Sequence, residues 1–151
     1  NYLWDNIRVM GGAYGCMNGY TINGVGYMLS YRDPNISATN KIFEEAVDFI
    51  KNFDADEAEM TRYILGTFGE MDTPLTPSGK GIRSFDYYLR GITEEYLKAD
   101  RLKALNTHQE DIRALAPVIE SVIKDDYLCV IGNGEQITTE SELFDKVVNL
   151  F

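Results

Sequence analysis

The chain reads as an α+β fold, an antiparallel sheet with helices packed on one face. Three observations lead there. Residues 13–22 and 25–32 alternate with the period of strands and are joined by Asn23-Gly24, a strong pair for a hairpin turn. From about residue 40 onward, apolar residues recur at helical spacing in successive segments that open on capping residues. No repeat or low-complexity linker interrupts the 151 residues, so 1–151 is read as a single domain, long enough to bury an ordinary core.

The elements follow in order. Residues 1–7 read as the last turns of a helix, with Leu3, Trp4 and Ile7 on one side. In the first strand Tyr14, Cys16, Asn18 and Tyr20 share a face; in the second, Tyr27, Leu29 and Tyr31 do. Pro34 ends the hairpin because it cannot donate to a ladder. Ile42, Phe43, Ala46, Val47, Phe49 and Ile50 form the stripe of the first long helix. Asp54 and Glu57 are spaced as a capping box for the second, which turns Tyr63 and Ile64 inward. Thr73-Pro74-Leu75-Thr76-Pro77 is a rigid break. Ser78 is expected to cap a helix carrying Ile82, Phe85, Tyr88 and Leu89, and Thr93 the next, with Tyr96 and Leu97 inside. Thr107 and Glu110 repeat the capping spacing ahead of Ile112, Leu115, Val118, Ile119 and Ile123, with a kink or break at Pro117. Residues 127–131 read as a short apolar strand. Thr139 and Glu142 are expected to open a final helix with Leu143, Val147, Val148 and Phe151.

Composition limits the function. Hydrophobic residues make up 44% and charged residues 25%, a globular balance. The formal charge of −10 argues against nucleic acid, whose phosphates call for basic patches. It suits basic peptide substrates drawn to an acidic wall, although net charge also serves solubility alone. No apolar run approaches the length that spans a bilayer, about 20 residues. Cys16 and Cys129 are too few for a disulfide framework and sit in apolar stretches, so both are expected as buried, reduced thiols. That suits a reducing compartment. The cytoplasm is the expectation, with the mitochondrial matrix as the alternative.

Several motifs carry little. Ser78-Gly79-Lys80-Gly81 lacks the first glycine and the final hydroxyl of a phosphate loop, since Pro74 and Gly81 stand there, and is better read as a polar start to a helix. Glu94, Glu95, Asp100, Glu110, Asp111, Asp125 and Asp126 fall on polar faces or helix ends, as solvated surface does. His108 follows a capping position and reads as a surface residue.

Arg8 and Tyr14 are different. A cationic fork ends an apolar, helix-like stretch, and a phenol follows six residues later across Gly11-Gly12. The glycines allow a tight turn and close backbone approach. The two side chains can thus offer donors to one oxygen-rich ligand.

The surroundings of that pair resemble a known family. Tyr2-Leu3-Trp4-Asp5-Asn6-Ile7-Arg8, Gly11-Gly12-Ala13-Tyr14-Gly15 and Ser30-Tyr31-Arg32-Asp33-Pro34-Asn35 are similar to the C-terminal lobe of presequence-protease-like zinc peptidases, within the pitrilysin/insulinase group of inverzincins. So are Gly69-Glu70-Met71-Asp72-Thr73-Pro74-Leu75-Thr76-Pro77, Gly79-Lys80-Gly81, Tyr87-Tyr88-Leu89-Arg90-Gly91-Ile92-Thr93 and Tyr127-Leu128-Cys129-Val130-Ile131-Gly132. The resemblance implies an inverzincin-type domain that is incomplete at its N-terminus, with a strand and most of the first helix upstream of Asn1. It also implies that Arg8 and Tyr14 reach, as catalytic and substrate-binding residues, into a site built by the N-terminal half of the same polypeptide.

An inverzincin site needs His-x-x-Glu-His. This chain has one histidine, so no metal-ligating residue is assigned in it. The resemblance implies zinc in the full-length enzyme but none bound by this chain, and an isolated chain without activity. The implied whole is a zinc-dependent metalloendopeptidase degrading unstructured oligopeptides, with no nucleic-acid or membrane partner. The alternative is a non-catalytic lobe that serves assembly or peptide binding.

Overall fold

The computed structural model describes residues 1–21 and 23–150. They divide into two compact units, Asn1–Asn52 with Arg113–Phe151, and Phe53–Ile112. The secondary structure is α+β: seven α-helices and one antiparallel pair of strands among the described residues.

The first unit opens on a π-helix, Trp4–Met10. The hairpin follows as β1 (Gly15–Tyr20) and β2 (Gly26–Tyr31). Its loop closes with the Thr21 N–H donating to the Val25 carbonyl (2.8 Å) and the Gly24 N–H to the Thr21 carbonyl (3.0 Å). Gly24 takes the left-handed conformation, φ 81°, that its lack of a side chain permits. Ile22, expected in the first strand, lies outside the described residues. The register pairs Gly15 with Tyr31, Gly19 with Tyr27 and Gly26 with Tyr20, so each glycine lies beneath a tyrosine ring from the opposite strand.

Helix α1 (Ser37–Lys51) buries Ala46 and Val47 from the stripe read in the sequence, together with Thr39. It packs against α6 (Ala116–Lys124) and the π-helix. Ala116 and Ile119 of α6 are buried, and Val122 comes down onto Gly26. Pro117 stands in the first turn of α6, where its missing N–H costs nothing. The break expected there separates α6 from the short α5 (Gln109–Arg113).

The end of the chain departs from expectation. Residues 127–131 form no strand, and the sheet keeps two strands. Asn133 caps α7 (Gly134–Thr139), accepting from the N–H groups of Glu135 and Gln136. Only a 3₁₀ turn, Ser141–Leu143, follows, and residues 144–150 are irregular. The Asx cap at Asn133 therefore starts the helix earlier than Thr139 would. Phe151, placed in the expected helix, lies outside the described residues. Cys129 is exposed and Cys16 half-buried, so neither is the buried thiol expected, although both are free.

The second unit is helical: α2 (Glu57–Met71), α3 (Pro77–Arg90) and α4 (Glu94–Leu105). The sequence Asp54-Ala55-Asp56-Glu57-Ala58-Glu59 holds two overlapping Asp-x-x-Glu spacings, and the second is used. The Glu59 N–H donates to Asp56 Oδ1 (2.8 Å) and the Asp56 N–H to Glu59 Oε2 (3.2 Å). At α3 the cap is Thr76 rather than Ser78, because Pro77 fits the first helical position. Thr93 caps α4 as expected. At α5 the pairing shifts by one, with the His108 N–H donating to the Asp111 carboxylate. None of α2, α3 or α4 contains a buried residue.

Candidate functional site

The site is built from the π-helix, the glycine turn and the end of the hairpin. In a π-helix each N–H reaches back five residues. The Gly11 N–H still does so, to the Asn6 carbonyl (2.9 Å), and the Ala13 N–H closes onto the Ile7 carbonyl (3.1 Å). Ile7, 0% exposed, anchors the element. The next residue, Arg8, is turned toward the surface, and its guanidinium lies 4.3 Å from the Trp4 ring centroid, one turn away.

Gly12 at φ 81° redirects the chain, with Pro34 Cγ 3.7 Å from where a Cβ would stand. Ala13 is buried and Tyr14 is 55% exposed. Both backbone groups of Tyr14 are held. Its N–H donates to the Arg32 carbonyl (3.2 Å), and its carbonyl accepts from Arg8 Nη1 (2.8 Å). The Tyr14 ring has Arg8 at 5.5 Å, Arg32 at 5.3 Å and the tilted Tyr31 ring at 5.5 Å. Arg8 and Tyr14, singled out from the sequence, thus stand side by side on an accessible surface.

Residues to which the sequence reading gave no role lock this turn. Asn35 Nδ2 donates to the Gly11 carbonyl at 2.7 Å. The Asn35 N–H donates to Asp33 Oδ1 (2.9 Å), and the buried Thr39 hydroxyl donates to Asp33 Oδ2 (2.7 Å). Gln136 Nε2 donates to the Pro34 carbonyl (2.6 Å), and Glu140 accepts from the Ser37 N–H at the start of α1 (2.9 Å). The Asp33-x-Asn35 spacing is an Asx-turn signature, the signal that could have assigned these residues.

Cys16 lies close enough to feel both Arg8 and Asp33. Burial pushes its thiol up, against the pull of Arg8, so it stays protonated at neutral pH and makes a poor nucleophile. His108 is exposed, with its ring Nδ1 3.8 Å from Asp111. Among the described residues no three His, Cys, Asp or Glu side chains converge as a metal site. Glu94, Glu95, Asp100, Glu110, Asp111, Asp125 and Asp126 are all exposed. Ser78-Gly79-Lys80-Gly81 lies in the first turns of α3.

This surface occurs in a chain whose residues 1–134 match the family model "PreP C-terminal domain". The chain belongs to the presequence protease C-terminal domain family. It is 40% identical over 147 residues to Protein HypA of Clostridium perfringens, covering 97% of this chain and 15% of that protein. It is 35% identical over 137 residues to Presequence protease 1, chloroplastic/mitochondrial, of Arabidopsis thaliana, covering 90% of this chain and 13% of that protein. Against the mitochondrial presequence protease of Schizosaccharomyces pombe it is 30% identical over 146 residues, 96% and 14%. The chain therefore spans about one seventh of the length of these curated relatives. It is a domain of a peptidase family, and Arg8 and Tyr14 both fall inside the matched segment.

Proposed function

We propose that this domain completes the active site of a presequence-protease-like zinc metalloendopeptidase that degrades unstructured oligopeptides, with Arg8 and Tyr14 as the residues it supplies. The observation that carries the reading is their juxtaposition: a guanidinium 5.5 Å from the ring of a phenol that is itself 55% exposed, both pinned by the Arg8 Nη1 bond to the Tyr14 carbonyl. Zinc belongs to the N-terminal half of the same polypeptide in this reading, and residues 1–151 act as one domain of the whole. The names of the organellar relatives support a mitochondrial location over the cytoplasm.

The chemistry asked of the pair is electrostatic. Cleavage of a peptide bond puts negative charge on the scissile carbonyl oxygen. Donors fixed in advance around that oxygen, or around the next peptide carbonyl, stabilise the charge without reorganising. Arginine keeps its charge at any working pH and holds its donors in a rigid fork. One donor of Arg8 is spent on the Tyr14 carbonyl, which leaves the rest of the fork for a ligand. A tyrosine hydroxyl adds a neutral donor.

The test is made in the full-length parent. Loss of one oxyanion donor costs about a hundred- to a thousandfold in turnover. Arg8→Ala should fall in that range, Arg8→Lys should recover only part, and Tyr14→Phe should lower turnover with little change in substrate binding. The melting temperature is measured alongside. Normal turnover in folded Arg8→Ala and Tyr14→Phe enzymes would overturn the catalytic role and favour a non-catalytic lobe. This chain on its own is expected to hydrolyse no peptide.

A further inference from the structure

Arg32 follows β2 directly and sits at φ 48°, in the left-handed region that an unbranched non-glycine residue enters only when its surroundings impose it. The surroundings do impose it. Its carbonyl accepts the Tyr14 N–H (3.2 Å), and the next residue, Asp33, is clamped by Asn35 and Thr39. Glycine or asparagine would fit this backbone with less strain. The Arg32 side chain is exposed, and its guanidinium lies 5.3 Å from the Tyr14 ring centroid, with Arg8 5.5 Å from the same centroid.

Neither arginine of this pair is held in an ion pair among the described residues. Asp33, the adjacent carboxylate, keeps its charge nearby but directs both oxygens to Asn35 and Thr39. Among the described residues neither Arg8 nor Arg32 has a carboxylate within 4.0 Å, whereas most ion pairs elsewhere join neighbours on one helix. In a chain of net charge −10 this is a local cationic spot, and Tyr14 lies within reach of both cations.

We infer that Arg32 is a specificity-determining residue that binds a carboxylate of the peptide substrate beside Tyr14. The inference rests on the proposed peptidase role of this surface and adds to it a preference that the charge of the whole chain would not suggest. Arg8 holds the peptide carbonyl, and Arg32, with a free fork, takes a carboxylate in a charge-assisted and partly bidentate contact. Two sources share that chemistry: an acidic side chain near the cleaved bond and the free C-terminus of a short peptide.

Three peptides of one length separate the sources in the full-length enzyme: one with a Glu near the cleaved bond and an amidated C-terminus, its Gln counterpart, and the Gln peptide with a free C-terminus. Arg32→Asn removes the charge yet tolerates the left-handed backbone, so it is the variant least prone to misfold; Arg32→Lys keeps a charge without the fork. The wild type should favour a carboxylate peptide through KM by about tenfold, and Arg32→Asn should erase that preference, bringing the carboxylate peptides to the KM of the fully neutral one. Arg32→Lys should restore part of it. Loss on the Glu peptide alone assigns a side-chain subsite, and loss on the free-acid peptide alone assigns a C-terminal one. An unchanged preference in folded Arg32→Asn, or an equal loss on all three peptides, overturns the inference. Failure of the peptidase role reads differently, as normal turnover in Arg8→Ala and Tyr14→Phe.

Discussion

The two compact units use the same sequence signal to different ends. Helix α1 of the first unit and α3 of the second each carry an apolar stripe at helical spacing. The α1 stripe meets α6 and the π-helix and buries Ala46 and Val47. The α3 stripe stays open: Ile82, Phe85, Tyr88 and Leu89 are between 62% and 81% exposed. Among the described residues, only Phe53 of those that are buried belongs to the second unit. Amphipathic spacing thus states which face a helix would bury, not whether anything within the same chain covers it.

The largest effect expected from that contrast is on stability in the first unit. Ile7 is fully buried beneath the π-helix, and Ile7→Ala leaves a cavity that costs about 2–5 kcal/mol. Because Ile7 also fixes the turn of Arg8, the variant should weaken the site as it lowers the melting temperature. Tyr88→Ala in α3 removes a larger side chain but an 81% exposed one, and should stay within about 0.5 kcal/mol of the parent. Thermal unfolding of the two variants side by side decides the matter. A Tyr88→Ala loss as large as that of Ile7→Ala would mean that the second unit has a core of its own.

Next in size is a change confined to the hairpin. A Cβ at Gly26 would lie 2.5 Å from Val122 Cγ2 of α6 and 2.9 Å from Cε1 of Tyr20. Val122 is β-branched and short, so it can give way only by moving the helix. Gly26→Ala should cost about 1–3 kcal/mol, and Val122→Ala introduced with it should recover part of the loss. Gly66→Ala in α2, where nothing lies within 4 Å, should be neutral or slightly stabilising. Recovery at Gly26 would show that the glycine is there for helix-on-hairpin packing rather than for backbone freedom.

What could be read from the sequence follows the range of the forces involved. The hairpin, the α1 stripe, the Thr93 cap and the break at Pro117 depend on residues close in sequence, and all were legible. Capping positions slipped by one or two residues at α2, α3 and α5 because overlapping Asp-x-x-Glu or Thr/Ser choices are nearly degenerate locally, and Pro77 decided one of them. Residues 127–131 have a strand's composition, but composition does not decide pairing, and among the described residues they join neither open edge of the hairpin. At the candidate site, Arg8 and Tyr14 stand out through the blocks around them. The roles of Arg32, Asp33 and Asn35 are hidden in the sequence, because a left-handed arginine and a side chain bonded to a carbonyl 24 residues away cannot be read from residue type.

A smaller effect is expected at the start of α2. Asp56→Ala removes the acceptor for the Glu59 N–H and one arm of the capping box, a loss of about 1 kcal/mol. Asp56→Asn keeps an acceptor for the Glu59 N–H and should cost less. Equal losses of melting temperature in the two variants would mean that the cap contributes nothing.

The smallest effect is electrostatic and lies between α2 and α4. Arg101 donates Nη1 to Asp72 Oδ1 at 2.6 Å and Nη2 to Oδ2 at 2.9 Å, and its guanidinium lies 4.9 Å from the Phe68 ring. The hydrogen bonding from Arg101, first among the causes, holds the Asp72 carboxyl below its ordinary 3.8. A carboxyl whose pKa is depressed by folding adds stability above its unfolded pKa and loses it as pH falls through the folded one. The pair is open to solvent, so its worth at neutral pH is small and screened by salt. Asp72→Asn should therefore show a slight loss at pH 7 that shrinks in molar salt and disappears well below pH 3.8. Protection of α2 and α4 amides from hydrogen exchange is the sensitive measure, since local opening of this unit need not move the global transition. Two contributions are separable in the same experiment. If Asp72→Asn matches the wild type at every pH and salt concentration, the ion pair is incidental, and the stacking of Arg101 on Phe68 is what joins the two helices. In that case Arg101→Met, which keeps apolar contact and loses charge, should also match the wild type, and Arg101→Ala should not.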